Sequence, residues 1–344
     1  MSESEIKLTP LIDTVQFINM SDEEYFSAKY ADYISNSRLS LINPSQDGST
    51  KRYMEGFSGQ SYNPSFEFGS AVHEMVLQPE EFYLEEGISK PTAKLGATVD
   101  SILSFRKKGY SITKSIVLAS NEIGYYKGKL TDNIIKKLIK EGLAYYLFLI
   151  HYTPQEDKLP IFLNVKDQVR LKDCITSIKD NRVIQKLLNP DFIFTEPINV
   201  NEGAIFMDVK AEYKGKEYIL KLKAKLDNFI IDFESKTLYL NDLKTTGHYL
   251  SKFTDSFTNF HYYRQMAMYF WMLRMYVMKE YPDFTPTHFY ANMLVVSTIP
   301  SHESGVFRVN VEDQKKGMEE FGYLLRCIVK TLGDERDLDL PFSL

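Results

Sequence analysis

The stretch "YLNDLKTTGHYL", Tyr239 to Leu250, ends a strand-like run with an acid and a lysine two residues apart. Side chains on a strand alternate faces at about 3.3 Å per residue, so Asp242 and Lys244 project to one side about 6.6 Å apart. Upstream, "KEYILKLKAKLDNFIIDF" alternates too: Tyr218, Leu220, Leu222, Ala224 and Leu226 take one face, and Lys221, Lys223, Lys225 and Asp227 the other. A Glu-Ser-Lys turn separates the two runs, and pairing them as a hairpin brings Asp227 beside Asp242. Two carboxylates and an ammonium group then share one end of a sheet. Hard divalent cations such as Mg²⁺ take oxygen ligands, commonly one or two carboxylates, and leave the other positions to water and phosphate oxygens. A lysine beside such an ion can orient or deprotonate water, or stabilise charge developing on a phosphate. Metal-assisted phosphodiester hydrolysis is the chemistry this set suits. The bland reading of Asp242 and Lys244 is a half-exposed ion pair at a strand end.

The elements that must position these residues follow from the local pattern. "SDEEYF" is a capping box opening a short helix at Ser21, and Ser35 caps a second one in "ISNSRL". "SFEFGSAVHEMVLQPEEF" predicts a helix over about 65–78, and residues from about 91 to 188 are mostly helical in period. After Pro190 the pattern becomes strand-like. "DFIFTEPINV", "GAIFMDVKAEY", "KEYILKLKAKLDNFIIDF" and "TLYLNDLKTT" are four strand candidates split by Asn-Glu-Gly, Lys-Gly-Lys and Glu-Ser-Lys turns. One long helix, "DSFTNFHYYRQMAMYFWMLRMYVMKEY", follows, then strands near "HFYANMLVVS" and "GVFRVNV" and a final helix over about 312–333. The fold class expected is α/β with a mixed sheet.

With 344 residues, 44% of them hydrophobic, the chain can bury a substantial core. No apolar run reaches the ~18 residues of a membrane span, and "MSESEIKLTP" lacks the pattern of a signal peptide, so a cytoplasmic protein is expected. Cys174 and Cys327 stand far apart with no CxxC, which argues against a disulfide framework and against a zinc or iron-sulfur site. The net charge of -5 argues against a protein that coats nucleic acid. Residues 89–142 depart from it: eleven Lys and Arg against four acids give that segment +7. It is either the solvated face of helices or a guide for DNA. The closing "DERDLDLPFSL" joins acids to apolar residues, like a segment docked by a partner protein, against the plainer reading of a loose terminus.

Asp227, then "DLK" at Asp242 to Lys244, then "QMAMY" at Gln265 to Tyr269 together resemble the PD-(D/E)XK nuclease superfamily, in its RecB-like branch with a QxxxY helix. The segment around His73 resembles the upstream histidine helix of that branch, most closely in the phage RecE-type, exonuclease VIII-like group. "ISNSRL" is similar to the SxSxL opening of these nucleases. The resemblance spans about residues 33–82 and 190–297. Leu226 stands where the family name has proline, and Lys225 stands where arginine is frequent.

The resemblance implies a restriction-endonuclease-like core, a mixed central sheet flanked by helices, with a helical insertion. The corresponding layout is one nuclease domain: N-terminal helices with the histidine motif at 20–85, a basic insertion at 90–190, the catalytic sheet at 191–311, and a helix and tail at 312–344. It implies metal binding by His73, Asp227, Asp242 and the Leu243 carbonyl, with Lys244 serving the water. Gln265 and Tyr269, four apart on one helix face, would line the site and contact the scissile strand. Ser37 and Arg38 would hold DNA, with a plain helix cap as the competing reading, and Glu196 is a candidate additional ligand. The cofactor implied is Mg²⁺, with Mn²⁺ able to substitute and no iron-sulfur cluster. The activity implied is a double-strand DNA exonuclease of phage recombination or replication, in the bacterial host cytoplasm if phage-encoded. Its partners would be DNA ends, a single-strand annealing or binding protein, and further copies of itself. The alternatives are a catalytically silent DNA-binding or assembly module, a structure-specific endonuclease, and action on RNA ends.

Overall fold

The computed structural model describes residues 6–56, 63–92, 94–126, 130–153 and 157–338. It divides into two units, one of Met1–Ser58 with Lys179–Leu344 and the other of Gly59–Ile178. The end of the acidic and apolar tail, from residue 339, lies outside the described residues.

The first unit is built on a six-stranded sheet whose spatial order is its sequence order: β1 (Lys7–Asn19), β2 (Ile198–Tyr213), β3 (Lys216–Asp232), β4 (Thr237–Thr246), β5 (His288–Ser297) and β6 (Ser304–Arg308). All neighbours are antiparallel except β4 and β5. A parallel pair needs a long crossover, and here the segment between β4 and β5 supplies it with helices Phe253–Asn259 and Tyr262–Glu280. The latter helix, with Val311–Leu338, contributes Met266, Met272, Leu273, Leu324, Ile328 and Val329 to the main core beneath the sheet. The fold is thus α/β with a mixed sheet flanked by helices.

The second unit holds helices Pro64–Leu77, Lys94–Lys107, Ile112–Ile123 and Asp132–His151, with a short parallel strand pair, Phe82–Leu84 and Leu159–Ile161. The division places the helix carrying His73 with the helical segment rather than with the N-terminal helices. Most of the basic residues expected at 90–190 are on its surface, but Lys90 is buried against Glu67 and Asp100 at its Nζ. Lys94 donates to the Gly124 carbonyl at 2.9 Å. Lys127 and Lys129 lie outside the described residues. Among the described residues, no helix is long and apolar enough to cross a membrane.

The caps form as the sequence predicts: Ser21 accepts from the Glu24 amide and Ser35 from the Arg38 amide, both at 3.2 Å. Three expectations are corrected, and β1 is an element that the sequence reading does not contain. Residues 191–197 are not strand: Phe192, Ile193 and Phe194 are exposed, and three backbone amides of this segment turn onto Glu234 Oε2. The Asn-Glu-Gly sequence is no turn, because β2 runs through it with Glu202 in left-handed backbone at φ 57°. Finally, the long helix is broken. His261, at φ 53° and ψ 40°, separates Phe253–Asn259 from Tyr262–Glu280.

Candidate metal centre

The register of β2, β3 and β4 decides which side chains meet. Lys214 and Gly215, both at positive φ, make the two-residue turn of the β2–β3 hairpin. Pairing runs from Tyr213↔Lys216 to Gly203↔Leu226, resumes at Asn201↔Asn228, and so sets Glu202 opposite Asp227. On the other side of β3 the ladder begins at Asn228↔Asn241, which sets Asp227 opposite Asp242. Three carboxylates from three adjacent strands therefore form one row.

The faces matter as much as the register. Leu222, Ala224 and Leu226 reach the main core from β3, but beyond Asp227 the core residues are Phe229 and Ile231. The alternation breaks at Asp227. Sequence reading groups Asp227 with Lys221, Lys223 and Lys225; the break detaches it from that row and joins it to Asp242. Asp227 Oδ2 accepts from the Leu243 amide at 2.7 Å, a bond that takes the place of the ladder pairing just where the strands part.

Within the row, carboxylate oxygens of Glu202 and Asp227 lie within 4.8 Å of one another. Asp242 is 1% exposed. Its Oδ1 accepts from Gln265 Nε2 at 2.7 Å. Its Oδ2 has the Lys244 ammonium 2.6 Å away, yet no well-directed hydrogen bond reaches that buried atom among the described residues. Lys225 pairs with Glu202 Oε2 at 2.7 Å and also contacts Asp22. Burial opposes the charge of Lys244, but the carboxylates of Asp242 and Asp227 outweigh it and hold the ammonium above its ordinary value. Lys225 is treated likewise by Glu202 and Asp22. Tyr269 is held as a neutral phenol well above its ordinary range, first by burial and then by Tyr25, Asp242, Asp227 and Glu202. One turn of helix thus aims both Gln265 and Tyr269 at the acid row.

A second polar row runs beside the first. Asn201, Asn228, Asn241 and Asn292 are neighbours across β2 to β5, and the last three are fully buried. Asn228 donates to Asn201 at 2.8 Å, Asn241 to Asn228 at 2.8 Å and Asn292 to Asn241 at 2.9 Å; Asn241 also donates to the Leu187 carbonyl. A slip of one residue would unpair these buried amides, at about 1–3 kcal/mol each. The asparagines therefore lock the register that aligns the acids.

Arg38 donates to the Ala31 carbonyl and lies over the Tyr53 ring at 5.1 Å, while Ser37 is exposed beside it. Glu196 is exposed and outside any strand, correcting its expected position, and stands six residues of chain before Glu202, about 20 Å if extended. His73 lies half-buried on Pro64–Leu77 in the other unit. Glu202 is the residue sequence reading missed. Counting back from the Lys214-Gly215 turn pairs it with Asp227, a signal concealed by taking Asn-Glu-Gly for a turn.

A hard divalent cation fits this donor set. The row offers oxygen atoms only, its three carboxylates and Asp22 exceed the two adjacent ammonium groups in charge, and one buried oxygen lacks a directed donor. No protein-family model matches the chain. No curated protein matches it either. Among solved structures, the crystal structure of a candidate exonuclease from Eubacterium rectale is similar at a TM-score of 0.46 and 10% identity, covering 92% of this chain and 88% of that one.

Proposed function

We propose that this chain is a Mg²⁺-dependent deoxyribonuclease that hydrolyses phosphodiesters at duplex ends. The observation that carries the reading is the in-register row of Glu202, Asp227 and Asp242 with Lys244 against its buried end. Asp227, Asp242, Glu202 and the Leu243 carbonyl would hold the ion, with His73 as the nitrogen ligand that the resemblance implies. The ion supplies a Lewis acid for the phosphate and lowers the pKa of water. Gln265 fixes the Asp242 carboxylate by holding one oxygen and leaving the other for the site. Lys244, kept cationic by its neighbours, balances charge that grows on the phosphate oxygens and orients the attacking water. Tyr269, kept protonated, offers a hydrogen bond to the scissile strand. Ser37 and Arg38 contribute phosphate contacts, and the exposed lysines of the second unit add salt-sensitive affinity.

The resemblance to RecE-type nucleases favours exonuclease action in phage recombination or replication, beside an annealing protein and as a homo-oligomer. The test is a time course on linear duplexes labelled at either end, with and without Mg²⁺, beside covalently closed circles. Loss of label from linear duplex alone, dependent on the metal, is expected. Cutting of circles would instead establish an endonuclease, and DNA binding without cleavage a silent module. RNA substrates run in parallel decide the nucleic acid.

A further inference from the structure

The corner between helices Phe253–Asn259 and Tyr262–Glu280 turns at the buried His261 and leaves Phe260 exposed. His261 holds a left-handed conformation that a residue with a Cβ rarely adopts. A buried network keeps it there. His261 Nδ1 lies 2.8 Å from Glu320 Oε1 and 2.7 Å from the Tyr263 hydroxyl; Tyr263 and Arg264 donate to the same carboxylate at 2.7 and 2.8 Å. Arg264, fully buried, also donates to Asn36, Ser40 and Gln46. So many partners fix the direction in which the corner presents its side chains.

What the corner presents is a pair of rings. Tyr262 packs under the Lys244 ammonium, 5.5 Å from its ring centre. The Phe260 ring lies 5.7 Å from that of Tyr262 with a tilt of 40° and is 58% exposed. A continuous helix would have carried Phe260 on to a different side. One sugar separates a phosphate from its base, and the Lys244, Tyr262, Phe260 sequence of contacts leads from the phosphate-handling end of the site to an open aromatic face.

We infer that Phe260 is a stacking platform for a nucleobase of the strand whose phosphate lies at Lys244. This rests on the nuclease reading above. Every base has a π-face, so such a platform grips a strand independently of sequence. Its occupant is a base freed from pairing at the duplex end, because a stacked internal base pair exposes no face to a ring.

The test uses the full chain with a short duplex carrying 2-aminopurine as its terminal base, in Ca²⁺ to limit cleavage. Wild type should quench the fluorescence on binding. Phe260→Ala and Phe260→Leu should bind about 5- to 100-fold more weakly and lose the quench, and Phe260→Tyr should restore both. Leu keeps the apolar cover, so wild-type binding and quench in Phe260→Leu overturn the platform even if the alanine variant misfolds. Metal-dependent cutting by wild type together with wild-type behaviour of Phe260→Leu overturns the platform alone. Absence of both binding and cutting overturns the nuclease reading and the platform with it.

Discussion

The acid row and the asparagine row cross the same three strands one residue apart, and they meet the problem of buried polarity in opposite ways. An asparagine both donates and accepts, so Asn201, Asn228, Asn241 and Asn292 pass hydrogen bonds along a chain of amides, which leaves Asn292 Oδ1 without a partner among the described residues. A carboxylate only accepts. Glu202, Asp227 and Asp242 must draw donors from outside the row, among them Lys225, the Leu243 amide, Gln265 and Lys244. The amide row can be linked from within and is structural, and the acid row, which cannot, is the one with capacity for a cation.

Exchanging the two chemistries tests that contrast. Asp242→Asn gives the acid row an amide of the same shape; DNA cleavage in Mg²⁺ should fall at least about a thousandfold, some 4 kcal/mol of transition-state stabilisation, with the fold retained by circular dichroism. Retained cleavage would end the assignment. Asn241→Asp makes the converse change and removes the donor to Asn228 and Leu187. Urea unfolding at pH 8 should show a loss of about 2–4 kcal/mol. A buried carboxyl with no cationic partner has its pKa raised on folding, so this variant should recover stability as pH falls toward 5. Equal loss at both pH values would mean that the ladder tolerates charge. Gln265→Ala removes a donor that the acid row borrows; Mn²⁺ affinity by calorimetry should weaken about 10- to 100-fold, as for other groups that orient a ligand.

The smallest effect belongs to Glu320, a carboxylate satisfied by fixed donors outside the acid row. Burial raises its pKa, but bonds from Tyr263 and His261 and the Arg264 charge outweigh that and hold it below the usual carboxylate value. The stabilisation is present above the unfolded value of about 4.3 and is lost as pH falls through the lower folded value. Acid titration of thermal unfolding should therefore be shallower in Glu320→Gln than in wild type. Identical slopes would show that the contacts around Glu320 carry no net charge effect.

Alternation made β3 and β4 legible, and the spacing of Asp227, Asp242 and Lys244 made the site legible with them. Both are local signals. What escaped was set at a distance. β1, which contains Pro10, gains its partners only when β2 is placed beside it. Residues 191–197 are apolar enough for a strand, but periodicity cannot report the missing neighbour. The breaks at Glu202 and His261 carry no glycine or proline at the left-handed residue itself. Their conformations are held by tertiary contacts that a linear reading does not contain, and both lie at the candidate site.

The connection at Lys214-Gly215 is the shortest that joins two paired strands. One added amino acid there must be absorbed as a wider turn, because a slip of the ribbon would carry Glu202 past Asp227 and turn inward side chains outward. Descendants of this chain should accordingly vary the ribbon by replacement and confine changes of length to loops that lead into no paired register.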